Sequence, residues 1–346
     1  MSIMMNELLT APDVVRRVIS VNKSVVKDIA KEFAERGLTN ITTVSRGSSD
    51  NAATYFKYMS EIIAGVMVSK YTPSITTVYN QSVNLSSNML VAVSQSGQSI
   101  DTMMVVNDAK AKGVLTVAVT NDVESPLAKA CDYHIYLAAE DEKSVAATKT
   151  FTAQITALYL LANAIADNKA AKIMNIGEIP PMFEAFVKNY DSVIRDFATE
   201  TKEINNCVVL TRGLMQGVAS EVSLKLMETC NIFNRPFSTA EFMHGPLALI
   251  GEGTNVLVLA PSGETTGEFI DMTTRLSLLG ANIVAFSDIK EVLDIADHSV
   301  AMPTVHSLAA PFIYTLAIQM YAANMADVLG KDPDAPRNLK KVTITK

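Results

Sequence analysis

The chain has 346 residues, of which 49% are hydrophobic and 19% charged, so it is long enough for two domains and too apolar for a disordered protein. Its formal net charge of -7, with no cluster of lysine and arginine, argues against a nucleic-acid-binding surface. Three widely spaced cysteines without a CxxC pair and only four histidines give no zinc pattern, so no metal is expected.

The first half of the chain alternates between predicted helices and predicted strands. Apolar residues at helical spacing indicate helices, and short apolar runs rich in β-branched residues indicate strands. In chain order the predicted elements are helix Ala11–Arg36, strand Ile41–Val44, helix Ala52–Ile63, strand Val66–Lys70, strand Asn88–Val93, a helix from Ile100, strand Val114–Val119, short helix Ser125–Ala130, strand His134–Leu137 and a helix within Ser144–Asp167.

The second half shows the same alternation. Its predicted elements are helix Pro181–Ala198, strand Cys207–Leu210, helix Gly217–Asn231, strand Asn255–Ala260, helix Thr266–Leu279, strand Asn282–Phe286 and the apolar helix Ala309–Leu329. In both halves the first strand ends in a hydroxyl residue followed by Arg-Gly, at Ser45-Arg46-Gly47 and at Thr211-Arg212-Gly213. This repetition indicates two copies of one α/β module.

The predicted fold is therefore α/β, with two tandem modules. Each module is a parallel sheet flanked by helices, in a three-layer sandwich of flavodoxin-like or Rossmann-like type. We expect an N-terminal module over residues 1–180, a C-terminal module over residues 181–330, and a tail over residues 331–346 that closes over the active site.

The stretch Val91–Thr102 joins a buried strand to a helix through a serine-rich turn. Ser94, Ser96 and Ser99 supply hydroxyl donors, and Gly97 permits a close approach of the backbone. The first-turn amides of a helix have no intrahelical partner and attract anions, so the turn is suited to a phosphate. A plain helix cap is the alternative, and the turn alone does not decide between them.

Two polar turns, after the strands ending at Val44 and Val93, fall where ligands bind in open α/β sheets. No GxGxxG follows a strand and no Walker-type phosphate loop is present, so no nucleotide and no cofactor is expected. The phosphate is expected to be part of a small substrate.

Six segments together resemble a known family, the sugar isomerase (SIS) double module. They are Ser45–Asn51, Val93–Thr102, Ser144–Lys149, Glu221–Glu228, Met243–Leu249 and Asp334–Thr343. The chain is similar to the isomerase half of glucosamine-6-phosphate synthase and to stand-alone SIS-type glucosamine-6-phosphate deaminases. The synthase also has an amidotransferase domain with an N-terminal cysteine, whereas here Met1 is followed by a helix, so we do not expect glutamine-dependent synthesis.

The resemblance implies a role for each matching residue. The substrate-binding residues would be Ser94, Gln95, Ser96 and Ser99 for the phosphate, Ser48 and Ser49 for the sugar, and Val145 and Lys340 through their backbone. The catalytic residues would be Glu228 as the base that moves a proton between C1 and C2, Lys225 beside it, His244 for ring opening, and Lys341 at the open-chain carbonyl.

The chemistry of these residue types agrees with such roles. An imidazole suits the opening of a hemiacetal, and a carboxylate suits proton transfer between adjacent carbons. Glu221, Lys225 and Glu228 are spaced so that one helix face carries all three. An exposed salt-bridge stripe of little energetic value is the alternative, and without the resemblance it would be preferred.

We therefore predict a phosphosugar-processing SIS enzyme that converts glucosamine-6-phosphate to fructose-6-phosphate and ammonia. The alternatives are a deglycase of a 6-phosphorylated sugar-amine adduct, an aldose-ketose isomerase of sugar phosphates, and a phosphosugar sensor without catalysis. Absence of a signal peptide or an uninterrupted apolar span predicts a cytoplasmic protein with no membrane partner. The resemblance also implies a homodimer in which His244 enters the partner's site. The apolar character of the Ala309–Leu329 helix predicts core or subunit interface, and this helix and the stretch Phe242–Ile250 would supply the interface surface.

Overall fold

A computed structural model describes residues 1–166 and 174–341 of the chain. They form two compact units, each built on one sheet. The N-sheet unit comprises residues 10–143, 147–166, 174–180 and 339–341, and the C-sheet unit comprises residues 1–9, 144–146 and 181–338. The last five residues of the predicted tail, 342–346, lie outside the described part of the chain, as does Asp167 at the end of a predicted helix.

The sheet of the N-sheet unit has five parallel strands. They are β1 (Asn40–Ser45), β2 (Met67–Lys70), β3 (Asn88–Val93), β4 (Leu115–Thr120) and β5 (Tyr133–Tyr136), in the spatial order β2-β1-β3-β4-β5. The central strands β3 and β4 are buried along almost their whole length, because helices cover both faces of the sheet.

The helices follow the apolar periodicity of the sequence. In chain order they are α1 (Ile3–Leu8), α2 (Ala11–Glu35), α3 (Ser48–Met59), α4 (Ser74–Thr77), α5 (Ile100–Ala111), α6 (Pro126–Ala130) and α7 (Lys149–Ala166). All but α1 belong to the N-sheet unit, where α2 and α3 pack against α7. The predicted start of α3 is wrong by four residues, because Gly47, at φ 56°, ends the turn and lets the helix begin at Ser48.

The C-sheet unit repeats this topology. Its strands are β6 (Asn206–Thr211), β7 (Phe233–Ser238), β8 (Asn255–Ala260), β9 (Asn282–Ser287) and β10 (His298–Ala301), all parallel, in the order β10-β9-β8-β6-β7. Its helices are α1, α8 (Ile179–Glu200, from residue 181), α9 (Gln216–Cys230), α10 (Thr239–Phe242), α11 (Thr266–Leu278), α12 (Lys290–Ile295) and α13 (Ala310–Val328). When the strands of each sheet are numbered from its own first strand, both sheets have the flavodoxin order 2-1-3-4-5.

The predicted fold class is thus confirmed, with two corrections. The strands β7 and β10 are absent from the sequence prediction, since both are edge strands with few apolar residues, and β7 contains Pro236. Residues 310–326 of α13 are all buried, so this helix is core, and the predicted interface role of Ala309–Leu329 is wrong.

Candidate functional site

The serine-rich turns after β1 and β3 lie side by side in the N-sheet unit. Strands β1 and β3 are hydrogen-bonded neighbours, and Ser45 pairs with Val93 at their carboxyl ends. The next strands along the chain continue on opposite sides of this pair, which makes the β1/β3 edge the topological switch point of the sheet. Ligands of flavodoxin-like sheets bind at this point, so both predicted loops face the expected place.

The serines of the β3–α5 turn differ in what their hydroxyl groups bind. The Ser94 oxygen accepts a hydrogen bond from the Gly97 amide at 3.2 Å, and the Ser96 oxygen accepts one from the Gln98 amide at 3.3 Å. Ser99 instead donates its proton to the carboxylate of Asp101 at 2.5 Å and makes no side-chain cap of α5. Ser94 and Ser96 therefore shape the turn as acceptors, which leaves a hydroxyl proton for a bound anion.

Gly97 is required by the turn itself. Its φ is 62°, and a Cβ built on it would lie 2.3 Å from the Ser125 hydroxyl oxygen and 2.5 Å from the Ser125 Cβ. Ser125 is fully buried at the start of α6, where its oxygen accepts a hydrogen bond from the Ala128 amide. The sequence predicts that Gly97 lets the backbone come close to a ligand. In the structure, Gly97 lets the backbone come close to Ser125 at the start of α6.

An ion pair fixes the base of the same turn. Nε of Arg46, which follows β1, donates to Oδ2 of Asp101 in the first turn of α5 at 2.8 Å. Asp101 is buried while Arg46 is half exposed. Burial alone would raise the pKa of Asp101, but hydrogen bonds from Ser99 and Arg46, together with the Arg46 charge, hold this pKa below its usual value. The sequence prediction did not include Asp101, although this residue lies within the stretch Val91–Thr102.

The two predicted sugar-contacting serines lie in the first turn of α3. Ser48 is half-buried, and Ser49 is buried with its hydroxyl accepting a hydrogen bond from Nε2 of Gln154 at 2.8 Å. Gln154 is itself buried on α7. Nothing in the sequence around Gln154 distinguishes it from other polar residues of that helix, so the sequence prediction could not include it.

The three charged residues predicted on one helix face lie together on α9 in the C-sheet unit. On α9, Nζ of Lys225 lies 2.5 Å from Oε2 of Glu228 and 3.4 Å from Oε1 of Glu221. The side chains of Lys225 and Glu221 are 0% and 2% exposed, whereas that of Glu228 is 21% exposed. An exposed salt-bridge stripe is therefore excluded. Glu228 is the one carboxylate of this cluster that solvent or a substrate can reach.

His244 lies in an exposed turn between α10 and the short helical turn Pro246–Leu249. Its amide donates to the Glu241 carbonyl at 3.0 Å, and Gly245 follows with φ 132°. In the residues that the structure describes, no hydrogen bond joins the imidazole to Glu228 or to any other group. The structure therefore leaves the His244 ring accessible and does not bring it to Glu228 through a direct bond.

Lys341 is held by a buried carboxylate within the N-sheet unit. Its Nζ donates to Oε2 of Glu142 at 2.6 Å, and the Glu142 side chain is 0% exposed. The adjacent Lys340 is exposed. Val145 is half-buried in residues 144–146, which cluster with the C-sheet unit. Glu142 is a second residue that the sequence prediction missed.

Other reactive chemistry is limited in the described residues. Burial raises the pKa of the Cys131 and Cys207 thiols to about 12 and that of Cys230 to about 11, so none is a ready nucleophile. Within residues 1–166 and 174–341, no group of histidine, cysteine and acidic side chains is suited to a metal ion. No helix of that part of the chain has the length and apolar character that crossing a membrane requires.

The chain belongs to the SIS-domain family. The family model "SIS domain" matches residues 37–164 and 202–328, which is most of both sheets and their helices. The resemblance inferred from the six segments is thereby confirmed, and so is the assignment of two SIS modules.

Individual relatives agree with this assignment. The glutamine–fructose-6-phosphate aminotransferase (isomerizing) of Thermococcus kodakarensis is 30% identical over 351 residues, covering 99% of this chain and 58% of that protein. The chain spans 53–59% of the length of the curated relatives it matches.

Solved structures share the fold over almost the whole chain. The C-terminal domain of glucosamine-fructose-6-phosphate aminotransferase from Francisella tularensis is 25% identical at a TM-score of 0.84, covering 96% of this chain and 98% of that one. A protein from Silicibacter pomeroyi, provisionally described as a phosphosugar isomerase, is 29% identical at a TM-score of 0.84, covering 96% and 100%.

Proposed function

We propose that this protein converts glucosamine-6-phosphate and water to fructose-6-phosphate and ammonia. Relatives named for fructose-6-phosphate, one of them also for glucosamine, support the substrate class. The two serines with an available hydroxyl proton, Ser94 and Ser96, support recognition of the phosphate. The cytoplasmic location expected from the sequence stays a prediction.

The proposed roles follow the bonds that must change. His244 assists ring opening, which exposes the C1 aldehyde of the sugar. Glu228 removes the proton from C2 and returns a proton to C1, while one proton passes from the C2 amine to the C1 oxygen, so that the amine-bearing C2 becomes an imine and C1 carries a hydroxyl group. Water adds at C2, ammonia leaves, and the ketone of fructose-6-phosphate remains. Lys341 stays near the carbonyl of the open chain as a charged hydrogen-bond donor.

The observation that carries the proposal is the charge arrangement on α9. A fully buried lysine between two carboxylates is expensive to desolvate, and hydrophobic residues would stabilise the fold as well or better. The arrangement leaves one carboxylate, Glu228, partly exposed while its Oε2 contacts Nζ of Lys225. An accessible carboxylate held in one position is what a proton shuttle needs.

The test compares product formation from two substrates. The protein is incubated with glucosamine-6-phosphate or with fructoselysine-6-phosphate, and ammonia, lysine and hexose phosphate are measured. The proposal expects ammonia and fructose-6-phosphate in equal amounts from the first substrate. If the protein releases lysine and hexose phosphate from the second substrate but no ammonia from the first, it is a deglycase. If it binds both substrates and converts neither, it is a sensor.

A matched pair of variants identifies the base. Glu228→Gln keeps the size of the side chain, and Lys225 keeps its second partner Glu221, so the fold should persist. We expect kcat to fall by about 10²–10⁴ while binding of fructose-6-phosphate changes little. Glu291→Gln, an exposed residue on α12 of the same unit, is the control that should keep full activity. Normal turnover of the Glu228 variant would assign this carboxylate to the fold alone.

A further inference from the structure

The buried carboxylate of Glu142 accepts five hydrogen bonds. Its Oε1 accepts hydrogen bonds from the Thr148 amide at 2.9 Å, the Thr150 amide at 3.1 Å and the Thr148 hydroxyl at 3.3 Å. Its Oε2 accepts from the Thr150 hydroxyl at 2.7 Å and from Nζ of Lys341 at 2.6 Å. All these residues belong to the N-sheet unit.

Neutral groups already give the buried Glu142 carboxylate four hydrogen bonds, so it does not need a lysine to be satisfied in the folded protein. Two amides and two hydroxyl groups from Thr148 and Thr150 hold the carboxylate in one orientation at the start of α7. The remaining direction of Oε2 is taken by a lysine 199 positions away in the sequence. A fixed, fully buried anion that receives a cation from a distant part of the chain sets the position of that cation.

We propose that Glu142 is a positioning residue that holds the Lys341 ammonium where it meets the carbonyl of the open-chain sugar. This inference rests on the proposed function, because it assigns a purpose to a lysine that the reaction uses. Glu142 itself does not touch the substrate in this proposal. Its carboxylate is fixed by Thr148 and Thr150, and the fixed carboxylate orients the lysine.

The first measurement does not depend on activity. The folded protein is treated with a trace of acetic anhydride and cleaved before Asp334, and acetylation of Lys341 is compared with that of exposed Lys340 in the same peptide by mass spectrometry. In the native protein Lys341 is expected to react less than Lys340. In Glu142→Gln, whose amide can still bind Thr148 and Thr150, the two lysines are expected to become equally reactive.

The control is Glu140→Gln, two positions away. Glu140 is exposed and lies 3.7 Å from Arg17, so its loss should leave the Lys341 labelling unchanged. Glu142→Asp, which keeps the charge on a shorter side chain, is expected to give an intermediate ratio, and it replaces the glutamine variant if that variant does not fold. An unchanged Lys341 to Lys340 ratio in a folded Glu142 variant would overturn the proposal.

The second measurement separates positioning from a general structural role. Glu142→Gln is expected to lower kcat by about 10²-fold with a smaller change in KM, since a misplaced group mainly affects the chemical step. In a Lys341→Met background the same substitution should have no further effect on kcat. If the two effects multiply, Glu142 acts without Lys341 and the proposal is wrong.

The two proposals can fail separately. If the native protein converts no phosphosugar but the labelling ratio responds to Glu142→Gln, the function is wrong and the contact between Glu142 and Lys341 still sets the lysine position. If turnover is present and the ratio does not respond, only the positioning role of Glu142 fails.

Discussion

At the scale of single residues, the direction of each hydrogen bond decides what a serine can offer to a ligand. The hydroxyl oxygens of Ser94 and Ser96 accept hydrogen bonds from backbone amides of the turn, whereas the Ser99 hydroxyl donates its proton to Asp101. Three serines that are equivalent in the sequence are therefore different in the structure. The sequence could predict the loop, since its pattern is local, but it could not predict the partner of each hydroxyl.

This difference leads to a paired prediction for Ser96 and Ser99. Ser96→Ala should weaken binding of fructose-6-phosphate by roughly ten- to hundredfold, because a hydrogen bond to a charged group contributes about 1.5–3 kcal/mol. Ser99→Ala should affect affinity less and thermal stability more, since it removes a donor from a buried carboxylate. Calorimetric titration and thermal unfolding of both variants check this. Equal losses of affinity would show that Ser99 also binds the phosphate.

At the scale of secondary-structure elements, each module has one ion pair at the same place. It joins the arginine after the first strand to the helix that follows the third strand. Arg46, after β1, binds Asp101 in the first turn of α5. Arg212, after β6, places its Nε 2.9 Å from Oε2 of Glu268 in the first turn of α11. The repeated Ser/Thr-Arg-Gly signal in the sequence marks the arginine of this bridge. The acidic partners lie 55 and 56 residues further along the chain, too far for a local pattern to identify them.

The two bridges differ in burial, which gives a prediction about pH. Asp101 is 2% exposed and Glu268 is 49% exposed. Because the folded-state pKa of Asp101 is lowered, its stabilisation is present above the unfolded pKa of about 3.9 and is lost as the pH falls through the folded value. Asp101→Asn should cost about 1–3 kcal/mol at pH 7, and this difference from the native protein should shrink below pH about 4. Chemical denaturation at several pH values measures it.

Glu268→Gln is the matched control for that experiment. Its carboxylate occupies the same topological position but is half exposed, so the expected loss at pH 7 is about 0–1 kcal/mol. Equal effects of the two substitutions would mean that burial does not determine the strength of the bridge.

The geometry of the turn between β3 and α5 predicts that Gly97→Ala destabilises the protein. Gly97→Ala would place a Cβ 2.3 Å from the buried Ser125 hydroxyl and would keep a positive φ on an alanine. We expect a loss of at least about 1–3 kcal/mol from backbone strain, with further loss from the displacement of α6. Gly113, which has φ 74° and open space around it, is the comparison site. Gly113→Ala should cost only the strain, so equal Tm values for the two variants would contradict this account.

At the scale of the whole molecule, the sequence predicted the repeated fold better than it predicted the residues that support the site. Central strands such as β3 and β8 are continuous apolar runs because both of their faces are covered, and such runs are easily recognised. Edge strands lack this signature, which is why β7 and β10 escaped prediction. Glu142 and Gln154 act through contacts over 100 residues or more, and no local pattern encodes such contacts.

The last prediction concerns assembly, and it starts from the exposed turn around His244. The imidazole is accessible, and Met243 and Leu249 beside it are 41% and 64% exposed, whereas residues 310–326 of α13 are buried. Phe242–Ile250 therefore remains the predicted contact surface of a homodimer in which His244 of one protomer serves the site of its partner.

Complementation tests this arrangement. Inactive His244→Ala and inactive Glu228→Gln are mixed under conditions that allow subunit exchange, and the exchange is followed with differently tagged chains. Statistical exchange makes half of the dimers mixed, and each mixed dimer has one intact site of two, so activity should return to roughly a quarter of the native value. If mixed dimers form and the mixture stays inactive, each site is built from one chain and His244 does not cross between protomers.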